Sequence, residues 1–376
     1  MASIVRRTAA AAVLACITLL PGVRSAAVIA RAAPTGGVVD DQDRLALDLD
    51  EYERLVTAYR SGEVGAVKRL AAWTPRRLAV VDVVIARSRG GNVSWNRPRL
   101  AAAAMLHTDA ARLLMESNDT PGVSLQLELA SRLLQGIAPA ADTLASHWYV
   151  VVARVLRDRQ WLSTADALLA VGRKRLPDNA AVLCESGTLA ELLATDRALD
   201  SPPETPDPSR STYAVQSFEW RRANDLTRAS RWLEQGVQAG PPDALCTLHF
   251  GRVRSLLQDD RQARSILTEL QLGPDIAVAY LASMFLGAIA ERRNERDEAE
   301  RCYRVALARV GGGQSAQLAL GALLFGSGRS TEARELVARS MDREQNSRRE
   351  PWWWYHFEPT DLVEANYEVL RREALR

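Results

Sequence analysis

Lysine is almost missing from this chain. It occurs only at Lys68 and Lys174, so arginine supplies nearly all of the 48 basic residues, which face 46 acidic ones. That near balance excludes the one-signed field of a nucleic-acid binder, and no nucleic acid is expected as a partner. Histidine is limited to His107, His147, His249 and His356, far apart and with no cysteine or carboxylate at ligand spacing, so no metal centre and no cofactor is predicted. The sequence has no His-Glu-x-x-His, no phosphate-cradling Gly-rich loop followed by Lys, and no Gly-x-Ser-x-Gly. Glu291 with Glu295 and Glu298 with Glu300 lie among Arg292, Arg293, Arg296 and Arg301, the pattern of a solvated helix face with i,i+4 pairs. His107, within Met105-Leu106-His107-Thr108-Asp109, reads as a hydrogen-bonded helix residue. No catalytic residues are assigned and the chain is not expected to be an enzyme.

Long apolar runs are also lacking, apart from Thr8 to Leu20, which is too short to span a bilayer. With Arg6 and Arg7 before it and Pro21-Gly22 after it, that run reads as the core of an export signal covering 1–25, cleaved near Val23-Arg24-Ser25. Val13-Leu14-Ala15-Cys16 resembles a lipobox, but the apolar run continues through it, so lipidation at Cys16 is not favoured. A periplasmic or secreted location is expected, with no integral membrane span. Of the four cysteines, Cys184, Cys246 and Cys302 remain after cleavage. They are too widely spaced for a disulfide framework or a metal knuckle and read as small buried hydrophobes, with any pairing among them left open.

What the chain does contain is a repeat. Leu286-Gly287, Ala290, Ala299, Tyr303 and Ala306 recur 34 positions later as Leu320-Gly321, Leu324, Ala333, Val337 and Ser340. Small residues at fixed positions let two antiparallel helices approach closely while larger apolar residues fill the space beside them. The register runs back through His249-Phe250-Gly251, Ala263 and Leu267, and again through Tyr149, Ala153, Ala165, Leu169 and Gly172. A further copy is split, with Leu183 and Gly187 in its first helix and Ala229, Leu233 and Gly236 in its second. Between them an insertion near 196–222 holds the proline-dense stretch Ser201 to Pro208, which predicts a mobile loop, with helix resuming from Tyr213 to Arg222. Leu45 to Arg60, Gly62 to Trp73, Pro75 to Arg87, Pro98 to Glu116 and Val123 to Leu134 predict five more helices in degenerate pairs. The organisation expected is thus a flexible segment at 26–42, degenerate pairs at 43–145, repeats at 146–347 and an aromatic capping segment at 348–376.

The 34-residue pattern of Leu-Gly, Ala and aromatic resembles tetratricopeptide-repeat proteins. Gly251-Arg252-Val253, Phe285-Leu286-Gly287, Gln314 to Leu320 and Pro351-Trp352-Trp353 resemble an exported bacterial group of them. The pattern departs from the family where Trp is absent from the fourth repeat position and Gly311-Gly312-Gly313 replaces a turn proline. The resemblance implies an all-α, right-handed superhelical solenoid of antiparallel helix pairs, with the first helix of each pair lining a concave face. On that face it places Val150, Arg154, Arg157, Leu248, Arg252, Leu281, Met284, Glu291, Arg292, Leu318 and Phe325.

A lining of apolar residues and arginine suits a peptide or protein partner carrying carboxylates. The expected partner-binding residues are therefore Arg154, Arg157, Arg252, Met284, Arg292 and Phe325, together with Trp352, Trp353 and Trp354 of the aromatic run Trp352 to Phe357. That run is expected to close the open end of the stack. The function expected is an exported interaction scaffold, with an accessory protein binding or processing envelope carbohydrate as the alternative.

Overall fold

The computed structural model describes residues 38–73, 77–90, 95–137, 143–196, 208–241, 243–341 and 350–376, with the side chains of 38–40, 196, 208–219 and 354 left aside. The expected export signal, Cys16 and most of the segment at 26–42 lie outside these residues, as does the proline-dense stretch up to Asp207. The described chain is all-α. In order it forms α1 (Val38–Arg60), α2 (Gly65–Ala71), α3 (Arg77–Arg89), α4 (Arg97–Glu116), α5 (Thr120–Ile137), α6 (Thr143–Asp158), α7 (Leu162–Arg175) and α8 (Ala180–Asp196). There follow α9 (Pro208–Ala239), α10 (Ala244–Leu256), α11 (Asp260–Gln271), α12 (Ile276–Arg292), α13 (Arg296–Arg309), α14 (Gln314–Gly326), α15 (Ser330–Ser340), a 3-10 turn (Pro351–Trp354) and α16 (Thr360–Leu375). No described helix is long and apolar enough to cross a membrane. Among the described residues, 38–51 and 52–376 fall into separate units; the contacts described below lie within the second.

The turns inside the helix pairs identify the repeat unit independently of sequence. In α12–α13, Glu295 N–H donates to Ala290 and Asn294 N–H to Glu291, with Asn294 in the left-handed region at φ 58°. The same two bonds recur about Gln258 between α10 and α11, about Gln160 between α6 and α7, and about Gly328 between α14 and α15. They recur again about Asn118 between α4 and α5 and about Gly62 at the end of α1. This is the Schellman closure, which satisfies the last carbonyls of one helix while reversing the chain. The degenerate pairs thus share one hairpin turn with the clear repeats, although their sequences do not show the 34-residue pattern. The α8–α9 connection carries the insertion, and helix resumes at Pro208, earlier than Tyr213, because proline is tolerated in a first helical turn.

The pairs pack where the register puts small residues. A Cβ on Gly287 would stand 2.4 Å from Tyr303, and one on Gly187 2.3 Å from Leu233. Ala299, Ala306, Ala316 and Ala290 are fully buried in the core cluster joining α10 to α15. Asp243, Asp259 and Asp275 cap the starts of α10, α11 and α12 by accepting backbone N–H groups of the first turn. Two of the three cysteines expected as simple buried hydrophobes are instead bonded. Cys184 of α8 and Cys246 of α10 form a disulfide between neighbouring first helices, while Cys302 is free and buried.

Candidate functional site

The C-terminal segment runs back along the first helices, in reverse order, from the last pair to the first. It starts at Glu350, whose carboxylate accepts the Gln314 and Ser315 N–H groups, each at 3.0 Å, at the start of α14 and also the Tyr280 hydroxyl of α12. Trp352 and Tyr355 then pack on Phe285 of α12, at ring separations of 5.8 and 5.1 Å. Tyr355 stacks on His249 of α10 and donates to Glu191 of α8 at 3.0 Å. Glu358 meets Arg154 of α6 at 2.6 Å. Glu364 pairs with Arg112 of α4 at 2.5 Å, Tyr367 donates to Asp109 of α4, and Arg371 donates to the Tyr59 hydroxyl of α1 at 3.2 Å. Every one of these partners lies on a first helix. The groove that the sequence assigns to a partner is held by the chain's own C-terminal strap.

This corrects the reading of Trp352 to Phe357 as a cover for the open end of the stack. Tyr355 reaches three pairs back from the last one. The physical reason is complementarity: the first helices offer buried charges and rings that need partners, and the strap supplies them in order.

At the centre of the path, two ionic clusters flank a cavity of about 120 Å³ lined in part by Arg154, Arg157, Glu185, His249, Tyr355 and Glu358. In the first cluster, buried Glu185 accepts from Arg154 at 3.0 Å and Arg157 at 2.5 Å. Burial opposes ionisation of Glu185, but the two guanidinium groups outweigh it and hold its pKa below the usual carboxylate range. In the second, fully buried Glu191 faces His249 Nδ1 at 2.7 Å and His356 Nε2 at 3.5 Å. Burial again opposes the charge, and the two imidazoles prevail, keeping Glu191 well below its ordinary range. Burial lowers the pKa of His356 despite that carboxylate, and burial followed by the Glu191 charge raises the Tyr355 phenol. Glu191, His249 and His356 bring one ligating atom each to within 4.8 Å of one another. The expectation that no histidine and carboxylate group together is therefore corrected, because the fold joins residues that sequence spacing keeps apart.

Of the expected binding residues, Arg154 and Arg157 do face the groove but are paired with Glu185, and Arg154 also with Glu358. Their partner is not Asp158, the nearer acid in sequence, nor Asp259. Arg252 lies over the Phe285 ring at 4.7 Å. Met284 is buried in the core between pairs and offers no groove surface, since its position on α12 turns it into the packed side. Arg292 binds Asp260 and Ser255 of the preceding pair and so ties neighbours together. Phe325, Trp352 and Trp353 are exposed, and the Trp354 side chain lies outside the described residues. The residues that sequence reading missed are Glu185, Glu191, His249, Tyr355, His356 and Glu358. A signal for the strap existed in Glu364, Tyr367 and Arg371, which recur at helical spacing and match Arg112 and Asp109 in charge.

No family model matches the chain, and no curated protein matches it. Among solved structures it is similar to MamA, at 16% identity and a TM-score of 0.38, over 51% of this chain and 94% of that one. It is also similar to YrrB, a TPR protein with an unusual peptide-binding site, at 16% identity and a TM-score of 0.34, over 52% and 87%. A human IFIT1 dimer with m7Gppp-AAAA aligns at 12% identity and a TM-score of 0.31, over 80% and 72%. The helix pairs, their shared turn and the 34-residue register make this chain a tetratricopeptide-like repeat protein, one whose groove is filled by its own C-terminus.

Proposed function

We propose that the chain is an exported protein-interaction scaffold in which the C-terminal strap occupies the groove until a partner segment of like chemistry replaces it. The observation that carries this reading is Glu358 on Arg154 at 2.6 Å, within a strap that meets first helices from α14 back to α1. A segment with carboxylates and aromatic rings in the order of Glu350, Tyr355 and Glu358 fits the same partners. The strap is at hand at high effective concentration, so a competing segment must bind more contacts or meet a loosened strap. Export is supported by the N-terminal charge and apolar pattern and by a disulfide between Cys184 and Cys246, which belongs to an oxidising compartment.

The test is anisotropy of a fluorescent peptide spanning Glu350 to Thr360, titrated with the full chain. The parent is expected to bind it weakly, Glu358→Ala more tightly because its own strap is loosened, and Glu358→Ala with Arg154→Ala not at all. Equal binding by all three removes the groove as the site. Fractionation of producing cells tests export: retention of the uncleaved chain in the cytosol contradicts it.

A further inference from the structure

Glu191 and His249 come from α8 and α10, the two helices joined by the Cys184–Cys246 disulfide, which braces the positions of both side chains. His356 comes from the strap. The two Glu191 oxygens each face one imidazole nitrogen, His249 Nδ1 at 2.7 Å and His356 Nε2 at 3.5 Å. The shorter contact is a hydrogen bond. The longer is not: His356 Nε2 is buried and has no hydrogen-bond partner among the described residues. A buried ring nitrogen pointed at a carboxylate without bonding to it calls for a reason.

We propose that Glu191, His249 and His356 form a binding site for a divalent transition-metal ion of the zinc class, which clamps the C-terminal strap to the first helices. Two imidazoles and a carboxylate are the donor set that zinc takes with three protein ligands and one open position. Zinc bonds of about 2.0–2.1 Å hold tetrahedral donors roughly 3.4 Å apart, so His356 already stands at the needed distance from Glu191. The His249 contact, 2.7 Å to the other carboxylate oxygen, opens by about 0.7 Å when the ion replaces its hydrogen bond. A cavity of about 120 Å³ lined in part by His249 and His356 has room for a water molecule as the fourth ligand. Hard cations that prefer six or more oxygens are excluded by the two nitrogens. Because one ligand lies on the strap and two lie in the groove, the site is complete only with the strap docked. The inference rests on that observed docking and not on exchange with a partner segment.

The experiment is a titration of the metal-stripped full chain with Zn²⁺ against a chromophoric chelator, repeated with Mg²⁺. Uptake of one zinc ion per chain is expected, with no Mg²⁺ uptake. His356→Gln is expected to weaken it by about a hundredfold while keeping the far-ultraviolet dichroism of the parent. His147→Gln, which changes a histidine remote from the cluster, should leave uptake unchanged. Co²⁺ in place of zinc should give the intense visible bands of a four-coordinate site, lost in His356→Gln. Hydrogen exchange of residues 351–358 should slow on zinc addition in the parent and not in the variant. Absence of zinc uptake by the parent overturns the proposal, as does equal uptake by His356→Gln. Since the probe is the ion alone, failure of peptide exchange leaves this outcome untouched.

Discussion

Tyr355 lies stacked on His249, with ring centroids 4.5 Å apart and planes at 27°, and the hydroxyl of the tyrosine donates to Glu191 beside it. One residue of the strap thereby covers both a ring and a buried charge of the groove. Strap and groove are two faces of one core, and removing the ring must expose what it covers. Tyr355→Ala should lower unfolding stability by about 2–3 kcal/mol, less than a fully buried aromatic because the site is half-buried. The strap should also become the first segment cut in limited proteolysis. Urea unfolding and peptide mapping measure both effects; a variant as stable and as protease-resistant as the parent contradicts the strap's role.

The close approach of α12 and α13 predicts a contrast between two glycines. At Gly287 a Cβ would lie 2.4 Å from Tyr303, so Gly287→Ala forces the tyrosine off its Glu291 hydrogen bond at 2.8 Å and should destabilise by about 1–3 kcal/mol. Gly326, at the end of α14, has nothing within 4 Å of a built Cβ, so Gly326→Ala should be neutral or stabilise by up to about 1 kcal/mol. Melting of the two variants side by side decides it. The reverse order would mean that the 34-residue register does not set the packing.

That register was legible because it needs particular residues at fixed local spacing: the same Leu-Gly that opens the pattern at Leu286 opens it again at Leu320. The five N-terminal helices were legible from apolar periodicity and read as degenerate pairs, but the feature that ties them to the repeats was not. It resides in the left-handed turn residues Asn118 and Gly62, which carry a backbone conformation and no side-chain pattern. The candidate site was half visible. Arg154 and Arg157 follow from repeat position, whereas Glu191, His249 and His356 are separated by long stretches of chain that no spacing rule spans. The same is true of Cys184 and Cys246, 62 residues apart, whose pairing depends on α8 and α10 being adjacent first helices. The path of the strap was hidden because aromatic density near Trp352 states how much surface can be buried and not where it lies.

The disulfide predicts a redox-dependent stability. Reducing Cys184–Cys246, or replacing both by alanine, frees a 62-residue separation in the unfolded chain and should lower stability by about 2–4 kcal/mol. Cys302→Ala lies outside that constraint and should not reproduce the response to reductant. Thermal melts with and without dithiothreitol make the comparison. Identical melts in both conditions for the parent would show that the bond contributes nothing to folding.

The final prediction concerns acid. His107 of α4 is fully buried, with Nε2 facing the Tyr52 hydroxyl at 2.9 Å and Nδ1 facing Gln126 Oε1 at 2.6 Å. The arrangement satisfies a neutral ring, Nδ1–H donating to the amide oxygen and Nε2 accepting from the tyrosine. Burial lowers its pKa to about 4, against the Gln126 hydrogen bond and with a smaller contribution from the Arg77 charge. The sign follows from proton binding: between about pH 6.5 and 4 the unfolded histidine is protonated and the folded one is not. The stability associated with the neutral ring is present above pH 6.5 and declines as pH falls towards 4, by up to about 3 kcal/mol. His107→Gln keeps a side chain able to donate and accept, cannot titrate, and should show a flatter dependence across that window even if it is less stable at pH 7. Unfolding free energies measured by urea at half-unit steps from pH 7 to 4 give the comparison. If parent and variant fall in parallel, other groups account for the acid sensitivity and His107 has no part in it.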